Sequence, residues 1–127
     1  MTTTPTSHAT TYAQLLDRVI ADGIAAARTD YADNPDKLQG AVEGFEACRG
    51  KTPDEIVVLY TAAEQQAREH FGEDDYWRYR CAALEIEFVL NVLSVGLERP
   101  LLAHLPTYRG AMKYAAIVGV RGERAEV

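Results

Sequence analysis

A chain of 127 residues with a net charge of −6, 47% apolar and 25% charged residues has the size of one globular domain, which buries roughly two thirds of its unfolded surface without disulfides or metal. Its apolar content excludes an intrinsically disordered chain. The charge-free stretch from Phe88 to Leu97 is too short for the roughly 20 apolar residues of a membrane-spanning helix.

Residues 1–10 carry no basic leader with an apolar run behind it, so they read as a flexible arm rather than a secretory signal. Thr11 and Gln14 have the spacing of a capping box, in which a hydroxyl and an amide side chain satisfy the open amides of a helix start. The first helix then places Tyr12, Leu15, Leu16, Val19, Ile20, Gly23, Ala26, Ala27 and Tyr31 on one face. "DNP" at 33–35 ends it near Ala32.

Asn34 caps a second helix with Pro35 at its first position, where the missing amide hydrogen is not needed. Leu38, Ala41, Val42, Phe45 and Cys48 form its inward stripe, ending at Gly50, and Gly40 and Gly44 permit close approach of a neighbour. "TPDE" at 52–55 combines a threonine cap, an early proline and acids at the positive end of the helix dipole. The third helix that follows turns Ile56, Leu59, Tyr60, Ala63, Ala67 and Phe71 inward and stops at Gly72.

A long fourth helix spans about 74–98, ended by "RP" at 99–100. At 100° per residue it has two apolar faces. Trp77, Cys81, Leu84, Phe88, Val92 and Val95 form one; Tyr79, Ala82, Ile86, Val89, Leu90, Leu93 and Leu97 form the other. Arg80, Glu87, Asn91, Ser94 and Glu98 lie on one dividing strip, Arg78 and Glu85 on a narrower one. Such a helix needs cover on both sides. One cover comes from its own bundle, and we expect a second copy to supply the other, with Tyr79, Ile86, Val89, Leu90, Leu93 and Leu97 at a homodimer interface; the alternative is a monomer with this helix at its centre. "LLAHL" at 101–105 suggests a turn of helix, and Thr107 to Val118 a last helix.

The fold class expected is thus all-α, a bundle of four to five helices. Residues 11–118 form a single domain, and 119–127 a loose polar tail. Cys48 and Cys81, the only cysteines, read as free thiols in a reducing cytoplasm.

The chemistry sought is mostly missing. "YWRYR" at 76–80 invites a nucleic-acid reading. Arg78 and Arg80 nevertheless fall about 160° apart on the helix, among Glu73, Asp74, Asp75, Glu85 and Glu87. Residues 1–98 hold 8 basic against 17 acidic side chains, and residues 99–127 hold 5 against 2, so nucleic acid is not the expected partner. His8, His70 and His104 are far apart, and no zinc-type His or Cys spacing occurs, so no metal or other cofactor is expected. A lone Glu-x-x-Glu at Glu43 and Glu46 is similar to the magnesium-binding helices of all-helical nucleotide pyrophosphatases, but the second acidic helix of those enzymes is not visible. No nucleophile stands beside a base, and no glycine-rich phosphate loop occurs.

One polar cluster stands out: His104, Tyr108, Arg109, Lys113 and Tyr114 crowd around a helix start, where open amides favour an anion or an acidic partner surface. The sequence therefore reads as a small helical protein that acts by protein–protein interaction, in an accessory, regulatory or inhibitory role, rather than by catalysis. The alternative is a protein or enzyme that uses this cluster to bind a small anionic ligand.

Overall fold

The computed structural model describes residues 10–97, Leu101 and Ala125–Glu126. Within them lie four helices, α1 (Tyr12–Asp30), α2 (Pro35–Ala47), α3 (Pro53–Glu69) and α4 (Tyr76–Leu97). Strand β1 (Thr10–Thr11) pairs in parallel with β2 (Ala125–Glu126), Thr10 opposite Ala125 and Thr11 opposite Glu126. The chain is all-helical in architecture apart from this two-residue pairing. A fifth helix at 107–118 lies outside the described residues.

The helix starts follow from local chemistry. Thr11 accepts from the Gln14 amide at 3.1 Å while Gln14 Oε1 accepts from the Thr11 amide at 3.0 Å. Thr52 and Glu55 make the same reciprocal pair at 3.2 and 2.9 Å, and Asn34 Oδ1 accepts from the Lys37 amide. Each cap satisfies amides that have no partner within the helix. Gly72 adopts φ +87° after α3, a conformation L side chains rarely take. The Tyr12 hydroxyl donates to the Lys51 carbonyl at 2.6 Å, fastening the start of α1 to the α2–α3 connection.

The centre of the molecule is α4, which packs against α1, α2 and α3. Leu15, Leu16, Val19 and Ile20 of α1, Phe45 of α2 and Ile56 of α3 join Ile86, Val89, Leu90, Val92 and Leu93 of α4 in one apolar core. In its C-terminal half even the polar strip is buried: Glu87, Asn91 and Ser94, on the strip expected to divide two covered faces, are 7%, 0% and 0% exposed. Asn91 donates to the Glu87 carbonyl and Ser94 to the Leu90 carbonyl. Ser94 Oγ also accepts from the Leu101 amide.

This arrangement corrects the expected dimer face. Ile86, Val89, Leu90 and Leu93 are at most 3% exposed, covered by helices of the same chain rather than by a second copy. Leu97 packs half-buried against the same core, and the Tyr79 ring stacks on His70 with centroids 3.9 Å apart. The start of that face also meets solvent, where a cleft of about 210 Å³ between α2 and α3 reaches Tyr79, Ala82 and Ile86. The opposite face is the incompletely covered one: Cys81 and Val92 are buried, whereas Trp77 and Leu84 are 49% and 44% exposed. Phe71, expected in the core, is 77% exposed. Because α3 ends at Glu69, Phe71 no longer follows the helical face that would have carried it inward.

Candidate interaction surface and acidic cleft

Where α3 turns into α4, aromatic side chains gather on the outside. The rings of Phe71 and Tyr76 meet edge to face with centroids 5.4 Å apart, and those of Tyr76 and Trp77 at 5.0 Å. Lys37 Nζ sits 4.6 Å from the Trp77 ring, and the Arg80 guanidinium 5.7 Å from that of Tyr76. Leu84, two turns after Trp77, extends the patch along α4.

The arginines of "YWRYR" are held within the chain. Arg78 forms a fork with Glu43, at 3.0 and 2.8 Å, and Arg80 reaches Glu64 at 2.6 Å and the Tyr76 hydroxyl at 3.0 Å. The Glu43 carboxyl is held below its ordinary range, first by the hydrogen bond from Arg78. Glu46 is likewise engaged by Arg49, so each member of the Glu-x-x-Glu pair is tied to an arginine.

Behind Phe71 lies a convergence that the spacing of histidines and cysteines did not disclose. His70 Nδ1 is 3.0 Å from Glu73 Oε1 and 3.1 Å from Asp75 Oδ1. Donor atoms of the three residues lie within 4.8 Å of one another, so together they could hold a metal ion. Equally, the two carboxylates and the Tyr79 ring fix the imidazole at the end of α3, which shapes the aromatic corner.

On α4, Leu84 is followed by Glu85, which faces a cleft of about 190 Å³ between α1 and α4. Phe45 and Phe88 supply aromatic walls, Gly23 and two alanines of α1 give it room, and Asp22, Asp30 and Tyr31 stand with Glu85 around it. Burial, with Asp30 adding repulsion, pushes the Glu85 carboxyl up to about 7. Tyr31 is raised by the same burial and by its neighbours Cys81 and Glu85. A carboxyl perturbed by desolvation and a like charge in a cleft marks a functional candidate.

Compared with known families, with curated proteins and with solved structures, the chain matches none.

Of the residues singled out from sequence, His104, Tyr108, Arg109, Lys113 and Tyr114 lie outside the described residues. Glu85 and its α1 neighbours were missed. The signal available was slight: an acid on a narrow strip between two apolar faces, sharing it with an arginine that turns out to pair elsewhere.

Proposed function

We propose that the protein acts by binding another protein, in an accessory, regulatory or inhibitory role, through the aromatic corner of Phe71, Tyr76 and Trp77. The observation that carries this reading is the exposure of Phe71 and Trp77, at 77% and 49%, within one contiguous ring cluster. Exposed aromatic groups joined to arginine have the composition of interaction hot spots, and leaving such rings in water is unfavourable unless something covers them. The partner that fits presents an apolar anchor ringed by lysine or arginine, because Glu73, Asp74 and Asp75 border the corner and residues 1–98 carry an excess of nine negative charges.

Two buried free cysteines suit a reducing compartment, so the cytoplasm is the location proposed with this reading. Among the described residues, no helix is long and apolar enough to cross a membrane.

The test is capture from the native host by three immobilised proteins: the wild-type chain, the double variant Phe71→Ser/Trp77→Ala, and Val58→Ser. Val58, 69% exposed, lies near the other end of α3 and serves as the control. We expect a protein retained by the wild type and the control but lost from the double variant; retention by all three would remove the corner from this role. A solution mass of two chains, reduced to one by the double variant, would make the partner a second copy.

A further inference from the structure

The cleft between α1 and α4 is acidic yet has an apolar interior, and among the described residues no lysine, arginine or histidine lines it. Asp22 already pairs with Arg18 at 2.9 Å. Neither Asp30 nor Glu85 has a hydrogen-bond or ion-pair partner among the described residues. Two carboxylates from different helices thus face one space, one exposed at its rim and one half-buried, with the Tyr31 phenol beside them. A carboxylate withdrawn from water is unfavourable until a proton or a cation joins it.

We propose that this cleft binds a primary alkylammonium group, with the charged end between Glu85 and Asp30 and the alkyl chain against Phe45 and Phe88. An ammonium has three donors that can serve acceptors in different directions, whereas a planar guanidinium favours a single bidentate carboxylate. Its apolar stem suits the aromatic walls, as the stem of lysine does on apolar surfaces. Gly23 seats the wall itself: a Cβ there would run into the Phe45 ring. The group could belong to a free amine or to a lysine side chain, and both present the same chemistry.

The bound cation favours the ionised form of Glu85, so binding strengthens as pH rises through about 7. Among the described residues, the other titratable groups facing the site are Asp22 and Asp30 on α1 and Tyr31 just after it, with Cys81 on α4 beside Tyr31. Burial raises both the phenol and the thiol, so neither competes in this range. From α2 the site receives only Phe45, and from α3 nothing.

The test is titration of the full chain with n-butylammonium chloride, followed through the backbone amide resonances of Gly23, Ala26 and Glu85. Saturable shifts are expected at pH 8, with affinity at least about fivefold weaker at pH 5.5. Glu85→Gln should weaken binding about tenfold, and Asp30→Asn, an exposed change that leaves the packing alone, severalfold. Butan-1-ol, of similar shape but uncharged, should bind at least about tenfold more weakly. N-acetyl-lysine amide tests the source: binding comparable to butylammonium indicates a lysine side chain, and binding of butylammonium alone indicates a free amine. No saturable shift by about 50 mM amine, equal binding of butanol, or unaltered affinity in both variants would overturn the proposal. The aromatic corner would be untouched by that failure, because neither the site nor the probe involves it.

Discussion

Gly40 of α2 lies directly against the backbone of Arg78 on α4: a Cβ at Gly40 would come within 2.7 Å of the Arg78 carbonyl carbon and closer still to its oxygen. One turn later Gly44 stands in the same relation to Ala82, its Cβ position 2.5 Å from that carbonyl oxygen. The two helices therefore touch backbone to backbone, and the Arg78–Glu43 fork closes the contact from outside.

Alanine at Gly40 should consequently destabilise the protein, although alanine is the better helix former by about 1 kcal/mol. The obstacle is backbone, which moves only if α2 shifts as a whole, so we expect a net loss of about 2–3 kcal/mol. Gly50, at φ +73° with nothing within 4 Å of its Cβ position, provides the contrast: alanine there should cost only about 1 kcal/mol, through backbone strain. Urea unfolding midpoints of the two variants would check the order, and equal losses would contradict the close contact.

Glu85 makes stability fall with rising pH. Its carboxyl, lifted from an ordinary 4.5 to about 7 in the folded chain, binds its proton more tightly folded than unfolded. The protonated carboxyl thus favours folding below about pH 4.5, and that contribution is lost as pH climbs through 7. With allowance for partial solvent contact, the effect is on the order of 2 kcal/mol. Glu85→Gln should remove this dependence and be more stable than the wild type at pH 8, as measured by urea unfolding at pH 5 and pH 8. Identical pH profiles would show that the carboxyl is not desolvated.

Both thiols should be silent in the native protein. Cys48 is fully buried and its thiol pushed up to about 12 by burial; Cys81, 2% exposed, is also raised by burial. A thiol without its thiolate is a poor nucleophile. A disulfide reagent at pH 8 should label neither until denaturant is added, and then both. Rapid native labelling of Cys81 alone would reveal opening of the α1–α4 contact.

The helix starts were legible because their causes are local. Thr11 with Gln14, Asn34 with Lys37 and Thr52 with Glu55 each act across three residues. The two-faced character of α4 was legible too, but not what covers each face. A helical wheel places Ile86 and Trp77 on opposite apolar faces without distinguishing them; α2 and α3 bury the first, and the second is left half outside. Phe71 depended on where α3 stops: its last residue is Glu69, three before the glycine that marks the stop in the sequence. The helical wheel puts Glu85 on a polar strip and cannot show its surroundings, because Phe45 of α2 and Tyr31 at the end of α1 are far away in sequence. The convergence of His70, Glu73 and Asp75 likewise depends on a turn whose path their spacing alone does not define.

Arg80 links the aromatic corner to α3, and its removal should be felt in both. Its guanidinium bonds Glu64 at 2.6 Å and the Tyr76 hydroxyl at 3.0 Å, with Arg80 and Glu64 side chains 19% and 22% exposed. That places the pair between an exposed bridge, worth little, and a fully buried one, whose breaking costs several kcal/mol. Arg80→Ala should therefore destabilise by about 1–2 kcal/mol at pH 7, because Arg68, at 3.1 Å, still partly compensates Glu64. Burial raises the Glu64 carboxyl, but the hydrogen bonds and charge of Arg80 and Arg68 outweigh it and leave the group below its ordinary 4.5. The contribution of the pair is accordingly present above about pH 4.5 and lost as pH falls through the lower folded value. Unfolding of the variant and the wild type should differ most at pH 7 and draw together as pH falls below 4.5; a difference that does not shrink on acidification would assign the effect to the packing of the Arg80 stem over Tyr76 rather than to the ion pair.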